Sequence, residues 1–597
     1  MNMRMFIGVQ HEPRSSDCYP YNSNTLHFRI RTGKDNFDEV NLILTDPYDK
    51  AFNTNTEQWE PIIQEIAMNN ECSTDTLDYW FAEAVVPRKR ALYAFELKKG
   101  EERYIYTRKP VREITPQTRY EEIAEDSFYK FPYILIEDIF SAPPWAKDMV
   151  WYQIFPDRFA KSQHPALLKD SLPLSDWDED VQPNDTQLYG GDLAGIIEKL
   201  DYIQSLGVTG IYLTPIFKAP KCHKYATTDY FEIDPAFGNE AIFDELVNEV
   251  HKKGMKIMLD IVFNHCGDTH PYFIDAHQKG KHSEYYDCFH FNDDGSYECY
   301  YNLWHMPKWN TSNGIVRQHL LKATEKWAKK GVDGFRLDVA DCVSHDFWRA
   351  FRKVVKSINP DILIVGEVWE TAIPWLLGDQ WDSVKHYPLA SPIHEYVAGN
   401  IDGKKMAELI SLSLVYYPKN VTESMFTLLS SHDISRIMTY ARKSKELTKQ
   451  AYTLLMTIAG SPCIFYGDEI GLNGRGGDLA RQCMKWEETE KHNDMREFLT
   501  KLISIRKNNP ATRSVDISWI RAEKDSLIYE KHAQGNKVIV LLNCLNKENT
   551  VELPEIMKNK EVSELLGNKT TLLHQTLLME PHGIRLFELS SLDNRPH

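Results

Sequence analysis

The sequence lacks a long apolar run and a surplus of basic residues. Its best candidate for a membrane span, around Leu454 to Gly467, is interrupted by Gly, Ser and Pro, which argues against a membrane-spanning protein. The chain has 69 Lys and Arg against 86 Asp and Glu, a formal net charge of −17, so a nucleic-acid backbone would be repelled. We therefore expect neither a membrane nor nucleic acid as a partner.

Closely spaced cysteines are also absent. The ten cysteines are scattered, and none forms the C-x-x-C pair of a zinc knuckle or a redox site. We interpret them as reduced intracellular thiols. The apolar stretch within residues 1–9 is too short for the core of a secretory signal peptide. Together these features predict a cytoplasmic location.

Three common catalytic motifs are missing as well. The sequence has no G-x-S-x-G elbow, no G-K-[ST] phosphate loop and no H-E-x-x-H zinc helix, so esterase, nucleotide-binding and metalloprotease interpretations have no support. What is present is a globular composition over 597 residues, 42% hydrophobic and 26% charged, which excludes collagen-like, coiled-coil and mostly disordered proteins. No organic cofactor is expected.

The hydrophobic pattern divides the chain into three predicted domains. Residues 1–130 alternate with a period of two, as in 26–31 and 91–97, which predicts an N-terminal β-sandwich. Residues 131–515 alternate short apolar strands with amphipathic helices, which predicts a (β/α)8 TIM barrel of α/β class with an inserted subdomain at about 265–314, after strand 3. Alternation returns in 516–597, a predicted C-terminal β-domain of sandwich type. The eight predicted strands are 150–155, 210–213, 256–262, 334–338, 362–365, 383–387, 426–429 and 462–466, and one helix is expected to end at Gly207.

Polar residues follow the predicted barrel strands almost every time. They are Asp260 and His265 after strand 3, Arg336 and Asp338 at strand 4, Glu367 after strand 5, and His432 and Asp433 after strand 7. In a TIM barrel these strand ends meet at the active-site mouth. Three carboxylates with an arginine and two histidines are what retaining glycoside hydrolysis needs: a nucleophile, an acid/base and orienting groups.

The residues also suggest how the roles divide. Asp338 lies two positions after Arg336, so both side chains share a strand face and the guanidinium could keep Asp338 ionised as a nucleophile. Glu367 follows an apolar strand and could keep a raised pKa suited to a proton donor. The two carboxyls should then lie about 5–5.5 Å apart. Taken singly, each Asp could be a helix cap and each His a structural residue, so the argument depends on the whole set.

Four ordered motifs resemble the signature regions of the α-amylase superfamily. They are residues 260–265 (DIVFNH), 334–340 (GFRLDVA), 366–369 (GEVW) and 431–433 (SHD). Further stretches at 77–81, 151–159, 189–193 and 306–310 look like the neopullulanase, cyclomaltodextrinase and maltogenic amylase branch. The similarity covers nearly the whole chain.

The resemblance implies roles for individual residues. Asp338 would be the nucleophile, Glu367 the general acid/base, and Asp433 the carboxylate that grips sugar hydroxyls. The other substrate-binding residues would be His265, Arg336 and His432 lining the same subsite, Tyr225 stacking on the sugar, and Trp369 and Trp375 on the leaving-group side. The alternative for the two tryptophans is that they are ordinary aromatics of the barrel wall.

Some positions depart from the branch. Asp341-Cys342 replaces the usual Asn-Glu pair associated with acceptor specificity, and Ala226 follows Tyr225 where Asp is usual. Of the residues that bind calcium in relatives, Gly191 and Asp192 remain, but most of the others are missing, so we regard them as a remnant and expect no metal requirement.

The predicted function is hydrolysis of α-1,4-glucosidic bonds in cyclomaltodextrins, maltooligosaccharides and pullulan through a covalent glycosyl-enzyme. One alternative is an α-1,4-glucan transglycosylase, in which a sugar replaces water as the acceptor. The other is a catalytically silent glycan-binding protein. The N-terminal sandwich resembles a starch-binding-type module that packs over a partner's barrel mouth, which implies a homodimer; a sandwich that only caps barrel surface is the alternative.

Overall fold

The computed structural model describes residues 3–55, 57–115, 117–163, 174–179, 185–491 and 493–589. The chain forms two compact units, one made of residues 1–141 and 407–422 and the other of residues 142–406 and 423–597. Within the described residues, every helix is too short or too polar to cross a bilayer.

The first unit contains the β-sandwich expected for the N-terminal domain. Its elements are β1 (Cys18–Asn22), β2 (Thr25–Gly33), β3 (Glu39–Thr45), β4 (Lys50–Asn53), β5 (Gln58–Pro61), β6 (Gln64–Ala67), β7 (Asn69–Ser73), β8 (Leu77–Val85), β9 (Ala91–Lys99), β10 (Glu102–Tyr106), β11 (Arg112–Glu113), α1 (Tyr120–Ser127) and β12 (Tyr129–Phe131). One sheet has the order β1-β2-β8-β7 and the other β11-β10-β9-β3-β6, with β12 paired to β9. Alternate residues such as Leu26, Phe28 and Ile30 enter the shared core, which explains the period of two.

The second unit contains the predicted (β/α)8 barrel. Its strands are β13 (Trp151–Ile154), β14 (Gly210–Leu213), β15 (Phe217–Lys218), β16 (Asp229–Ile233), β17 (Lys256–Ile261), β18 (Gly334–Leu337), β19 (Leu363–Gly366), β20 (Ser383–Val384), β21 (Phe426–Leu428) and β22 (Ser461–Phe465). Eight of them form one sheet in the order β20-β19-β18-β17-β14-β13-β22-β21, and β15 and β16 form a separate hairpin. A parallel bridge between Lys385 and Phe426 joins the two ends of the sheet and closes the barrel.

The helices lie between these strands along the chain, and they differ from the prediction in places. Those within residues 407–422 belong to the first unit. They are α2 (Pro156–Phe159), α3 (Leu193–Glu198), α4 (Leu200–Ser205), α5 (Glu240–Lys252), α6 (Pro271–Lys279), α7 (Gly314–Lys329), α8 (His345–Ile358), α9 (Tyr387–Val397), α10 (Gly403–Val415), α11 (Lys419–Thr422), α12 (Ile437–Tyr440), α13 (Lys445–Thr457), α14 (Trp486–Thr489) and α15 (Asp494–Asn508). The single helix expected before Gly207 is divided at Lys199, whose backbone leaves the helical region. Strand β20 has only two residues, because Tyr387 already begins α9.

Two further parts complete the second unit. Residues 265–314, the predicted insertion after the third barrel strand, contain α6 and a cluster of packed aromatic rings. The C-terminal strands are β23 (Ser518–Ala522), β24 (Ser526–Ala533), β25 (Asn536–Asn543), β26 (Asn549–Glu552), β27 (Glu561–Glu564), β28 (Lys569–Leu572), β29 (Thr576–Met579) and β30 (Ile584–Leu589). Six of them form an antiparallel sheet, and β26 pairs with β29. The domain limits at residues 130 and 515 stay predictions.

Candidate active site

Five consecutive barrel strands bring charged side chains to one end of the barrel. Asp260 and Arg336 lie in β17 and β18, Glu367 and Lys385 come directly after β19 and β20, and Asp433 lies beyond β21. The carboxyl ends of parallel strands share one rim, so these side chains meet at the mouth. All but Asp433, whose side chain is 25% exposed, are buried. The mouth is therefore a dense group of charges with one edge open to solvent.

Arg336 is the centre of this group. Its Nη1 donates to both carboxylate oxygens of Asp260, at 2.8 and 2.7 Å, and to Asp338 Oδ1 at 3.0 Å. Its Nη2 forms an ion pair with Glu367 Oε1 and lies 4.0 Å from Asp433 Oδ2. One buried guanidinium thus holds the predicted nucleophile and the predicted acid/base at the same time. Such a planar donor fork suits several carboxylates at once.

Asp260 has a larger part than its place in a motif suggests. It stands opposite Arg336 in the β17–β18 register and also accepts hydrogen bonds from the hydroxyls of Tyr212, at 2.7 Å, and Tyr225, at 2.9 Å. The sequence identifies Asp260 only as a carboxylate at the end of a strand and assigns it no role. The feature that could have revealed its role is its position directly opposite Arg336 on the neighbouring strand. That position can be recognised only when the strand register is known.

The backbone between the two predicted catalytic carboxyls is strained. Val339 follows Asp338 in the left-handed region, at φ 45°, which is unusual for a β-branched residue. Its N–H donates to Glu367 Oε2 at 3.2 Å. Backbone strain of this kind costs about 1–3 kcal/mol and persists where the surroundings enforce it. Here the strained backbone places the Val339 N–H, directly after Asp338, on the Glu367 carboxyl.

Gly366, the residue before Glu367, packs against an aromatic wall that includes Trp375 and Trp381. A Cβ at Gly366 would collide with the ring of Trp381, so no larger residue fits before Glu367. Trp375 stacks on Trp381, with centroids 5.1 Å apart, and on His345. Among the described residues, the ring contacts of Trp375 are thus with the wall and not with the carboxylates. A role for Trp375 in substrate binding stays a prediction.

Trp369 occupies a different environment. It is 53% exposed and stacks face to face on Tyr387, with ring centroids 4.1 Å apart. The Tyr387 hydroxyl donates to Glu367 Oε1 at 3.4 Å. An exposed indole therefore contacts Tyr387, and Tyr387 in turn contacts the predicted proton donor. This is a suitable platform for a sugar ring.

Tyr225 and His432 form a stacked pair beside Asp260. Their rings are 5.4 Å apart and nearly parallel, and the Tyr225 hydroxyl contacts His432 Nε2. The Gln153 amide donates to His432 Nδ1 at 2.6 Å, so Nε2 carries the proton and lies 3.1 Å from Asp433 Oδ2. Burial, helped by the nearby cations, keeps the pKa of His432 well below its ordinary value. His432 is therefore a neutral donor in this site.

His265 lies beside the pair, at the end of β17. Its imidazole is buried, stacks on Tyr300 with centroids 5.0 Å apart, and faces the backbone of Tyr225. Burial lowers its pKa to about 3. Its Nε2 is buried without a hydrogen-bond partner among the described residues. A buried polar atom of this kind is free to bond a ligand hydroxyl.

The pKa directions correct the expectation from the sequence. Burial raises the pKa of Asp338 well above its ordinary value, more than the Arg336 guanidinium lowers it. Burial also acts on Glu367, but the charges of Arg336 and Lys385 outweigh it and lower the pKa of Glu367. From the sequence we expected Arg336 to lower the pKa of Asp338 and burial to raise the pKa of Glu367, so both pKa directions were wrong. The reason is that Arg336 is shared among three carboxylates and a second cation, Lys385, faces Glu367.

Gly191 and Asp192, the predicted remnant of a calcium site, are both hydrogen-bonded within the chain. Asp192 caps α3, with Oδ1 accepting from Gly195 N at 2.6 Å and Oδ2 accepting from Ser162 Oγ at 2.7 Å. Gly191 N donates to the carbonyl of Asp157. Within the described part of the chain, no group of three or more His, Cys, Asp or Glu side chains converges as a metal site would require. The expectation that the protein requires no metal stays a prediction.

Comparisons with known proteins identify the family to which the chain belongs. Residues 153–526 match the family described as alpha amylase, catalytic domain, and residues 5–135 match the alpha amylase N-terminal ig-like domain. The chain is 38% identical to a cyclomaltodextrinase of Geobacillus thermopakistaniensis over 98% of its length and 99% of the relative's. It is also 38% identical to an intracellular maltogenic amylase of Bacillus subtilis, over 96% of its length and 98% of the relative's.

Other relatives extend this range. A protein of Thermoactinomyces vulgaris named neopullulanase 2 is 36% identical over 92% of the chain and 93% of its own length. A solved structure named cyclomaltodextrinase superposes with a TM-score of 0.88 at 35% identity, covering 98% of this chain and all of the other. The likeness therefore includes the sandwich, the barrel and the C-terminal domain.

Proposed function

Because the chain belongs to the α-amylase family and is an α-glucan hydrolase, we propose that it cleaves α-1,4-glucosidic bonds by a retaining mechanism. The proposed substrates are cyclomaltodextrins, maltooligosaccharides and pullulan. The names of the relatives, cyclomaltodextrinase, maltogenic amylase and neopullulanase, support this substrate range.

The main observation in support of the mechanism is that Arg336 forms ion pairs with both Asp338 and Glu367. Asp338 attacks the anomeric carbon while Glu367 gives a proton to the departing glycosidic oxygen, so a glycosyl ester forms on Asp338 and the leaving sugar is released. Glu367, now ionised, takes a proton from water as the water attacks the same carbon. The ester breaks, Asp338 leaves as a carboxylate, and the anomeric configuration is retained.

The first step requires a protonated Glu367 and an ionised Asp338. The mouth holds four carboxyl groups, Asp260, Asp338, Glu367 and Asp433, and three cations, Arg336, Lys385 and Arg481, the last of which lies 3.9 Å from Asp433 Oδ1. Burial raises the pKa of Asp338, whereas the charges of Arg336 and Lys385 outweigh burial and lower the pKa of Glu367. The Nη1 of Arg336, which donates to Asp338, stabilises the ionised Asp338 of the reactive form.

The remaining residues hold the sugar in this proposal. Asp433 is the one member of the group that is partly open to solvent, so its carboxylate is placed to accept sugar hydroxyls. Buried neutral His265 provides Nε2 for a further hydroxyl, and neutral His432 supports Tyr225 and Asp433 at the same place. Tyr225 and Trp369 offer aromatic faces for the apolar sides of glucose rings. Trp375 supports Glu367 only indirectly, because it stacks on Trp381, which packs against Gly366.

We further propose that the protein is intracellular and acts as a homodimer. The name of the Bacillus subtilis relative supports the location, and the resemblance of the N-terminal sandwich to modules that cover a partner's mouth supports the assembly. Fractionation of the source cells and sedimentation of the purified protein at several concentrations test the two statements. Recovery in the medium, or a monomer at all concentrations, would contradict them.

A product profile tests the proposed activity. Purified wild type and Asp338→Asn are incubated separately with cyclomaltodextrin, pullulan and soluble starch, and the released sugars are sized by chromatography. We expect the wild type to open the cyclic substrate rapidly and act weakly on starch, and the variant to be inactive. Products larger than the substrate would favour the transglycosylase, for which exposed Asp341 and Cys342 beside the mouth are the motivating residues. An inactive wild type would favour a silent glycan-binding protein.

A further inference from the structure

Lys385 is a second fully buried cation at the mouth, and the mechanism above gives it no role. It follows the short strand β20 and forms the bridge that closes the barrel. Its Nζ lies 3.3 Å from Glu367 Oε1 and 3.5 Å from Asp433 Oδ2. A buried ammonium costs several kcal/mol of desolvation unless opposite charges compensate it. Its two carboxylate neighbours are the proposed acid/base and the proposed sugar-binding carboxylate.

The surroundings of Lys385 show that it acts on this pair in particular. The ionisable groups near its ammonium are Glu367, Asp433, Arg336, His432, Tyr387 and Cys463. His432 is neutral, the hydroxyl of Tyr387 donates to Glu367, and Cys463 is a buried thiol whose pKa is raised by burial. Arg336 is engaged by Asp260 and Asp338 through Nη1 and also pairs with Glu367 through Nη2, and Arg481 lies 3.9 Å from Asp433 Oδ1. Lys385 is therefore the cation whose carboxylate contacts are confined to Glu367 and Asp433 among the described residues.

We propose that Lys385 is a positioning residue of the hydrolytic reaction, whose ammonium holds the Glu367 and Asp433 carboxylates at the mouth and thereby sets the upper pH limit of activity. The inference rests on the proposed function, because it takes Glu367 as the acid/base. The charge favours ionised Glu367, the form that activates water, and disfavours the protonated form that serves the first step. Lys385 thus balances the two halves of the reaction.

The sign of the effect on pH dependence follows from electrostatics. Activity falls at high pH when the carboxyl group at the mouth loses its last proton, and that proton is shared by coupled groups. A positive charge within about 4 Å lowers a carboxyl pKa by roughly 1–3 units. Removing the charge of Lys385 should therefore shift the alkaline limb of the kcat/KM profile to higher pH. The substitution Lys385→Arg keeps the charge and should keep the limb near that of the wild type.

The test is a set of pH profiles of kcat/KM on cyclomaltodextrin for wild type, Lys385→Gln, Lys385→Met and Lys385→Arg. We expect the alkaline limb to shift to higher pH by about one unit or more in the two uncharged variants and to stay in place in the Lys385→Arg variant. Circular dichroism and thermal unfolding establish that each variant is folded. A limb that stays in place in a folded, uncharged variant would overturn the inference while leaving the proposed function intact.

A measurement without any change at Lys385 covers the case in which the uncharged variants do not fold. Infrared difference titration of the wild type against Glu367→Gln reports the ionisation of Glu367. We expect Glu367 to ionise below the ordinary pH range of a glutamic acid, and ionisation above that range would contradict the role of Lys385. If the wild type is inactive on every glucan, the proposed function fails instead, which is a separate outcome.

Discussion

Asp260 and Arg336 lie directly opposite each other on neighbouring strands, and both oxygens of Asp260 accept from the same Nη1. This pair fixes the plane of the guanidinium. Its Nη1 then reaches Asp338 and its Nη2 reaches Glu367. The geometry of the proposed catalytic carboxyls therefore depends on a residue that touches neither of them.

The first prediction concerns that dependence. In Asp260→Asn the charged hydrogen bonds to Arg336 are weakened, and such bonds are worth about 1.5–3 kcal/mol each. If the cost appears in the transition state, kcat falls roughly tenfold to a hundredfold with little change in KM. Steady-state kinetics on cyclomaltodextrin measure this.

A matched control lies at the amino end of the neighbouring strand β18. Asp333 is a mostly buried carboxylate that pairs with Lys256 at 2.8 Å and His251 at 2.7 Å just before β18 begins. Asp333→Asn should lower the thermal midpoint and leave kcat unchanged, because the amino ends of barrel strands serve stability. Equal kcat in wild type and Asp260→Asn would refute the positioning role.

The second prediction follows from the raised pKa of Asp338. A carboxyl whose pKa is higher in the folded state binds more protons when folded, so its ionisation opposes folding as pH rises from the unfolded pKa toward the folded one. Asp338→Asn removes this penalty. The inactive variant should therefore be more stable than wild type near neutral pH, with the difference shrinking toward about pH 4, close to the unfolded pKa of Asp. Calorimetry across that range measures the difference.

Asp494 provides a control of opposite sign. Burial raises the pKa of Asp494, but the combined hydrogen bonds and charges of Lys445 and Lys449 outweigh it and lower the pKa to about 2. Its ionised form favours folding, so Asp494→Asn should be less stable than wild type at neutral pH and equal to it at strongly acidic pH. A neutral-pH midpoint of Asp338→Asn at or below that of wild type would count against the raised pKa of Asp338.

The third prediction separates the two tryptophans. Trp369 is exposed on Tyr387, so Trp369→Ala should raise KM for longer maltooligosaccharides roughly two- to tenfold, the equivalent of losing about 0.5–1.5 kcal/mol of stacking. Trp375 packs within the wall, so Trp375→Ala should chiefly lower the thermal midpoint. The test is to measure KM of both variants for a series of maltooligosaccharides of increasing length. A larger KM effect at Trp375 than at Trp369 would reverse our assignment.

The fourth prediction concerns Gly366. A methyl group there would collide with the Trp381 ring, so Gly366→Ala should cost about 1–3 kcal/mol of stability and reduce kcat by displacing Glu367. Gly314, at the start of α7, has open space around its Cβ position. Gly314→Ala should be neutral or slightly stabilising. Unfolding midpoints and kcat for both variants, measured together, test the collision; an unaffected Gly366→Ala would contradict it.

Much of the fold was predictable because it is expressed in local patterns. The alternation in residues 26–31 predicted the sandwich, and the apolar runs at 210–213 and 334–338 predicted barrel strands within a residue of their observed ends. The break at Lys199 and the brevity of β20 were missed, since both depend on packing against other elements and not on the residues themselves.

The site was predictable in its members but not in its electrostatics. Residues that follow strands identified Asp338, Glu367 and Asp433, and the same rule would have identified Lys385 if Ser383-Val384 had been given its observed end. The pKa directions of Asp338 and Glu367 could not be derived, because they depend on how Arg336 divides its two nitrogens among three carboxylates. That division is a property of the strand register.

The most direct test of the account is to trap the glycosyl-enzyme. Wild type is treated with 5-fluoro-α-glucosyl fluoride, which slows the second step, and then digested and examined by peptide mass spectrometry. The account predicts one fluoroglucosyl group on the peptide that contains Asp338, and no label in Asp338→Asn. Labelling of a different residue, or turnover with inverted products and no ester, would contradict it.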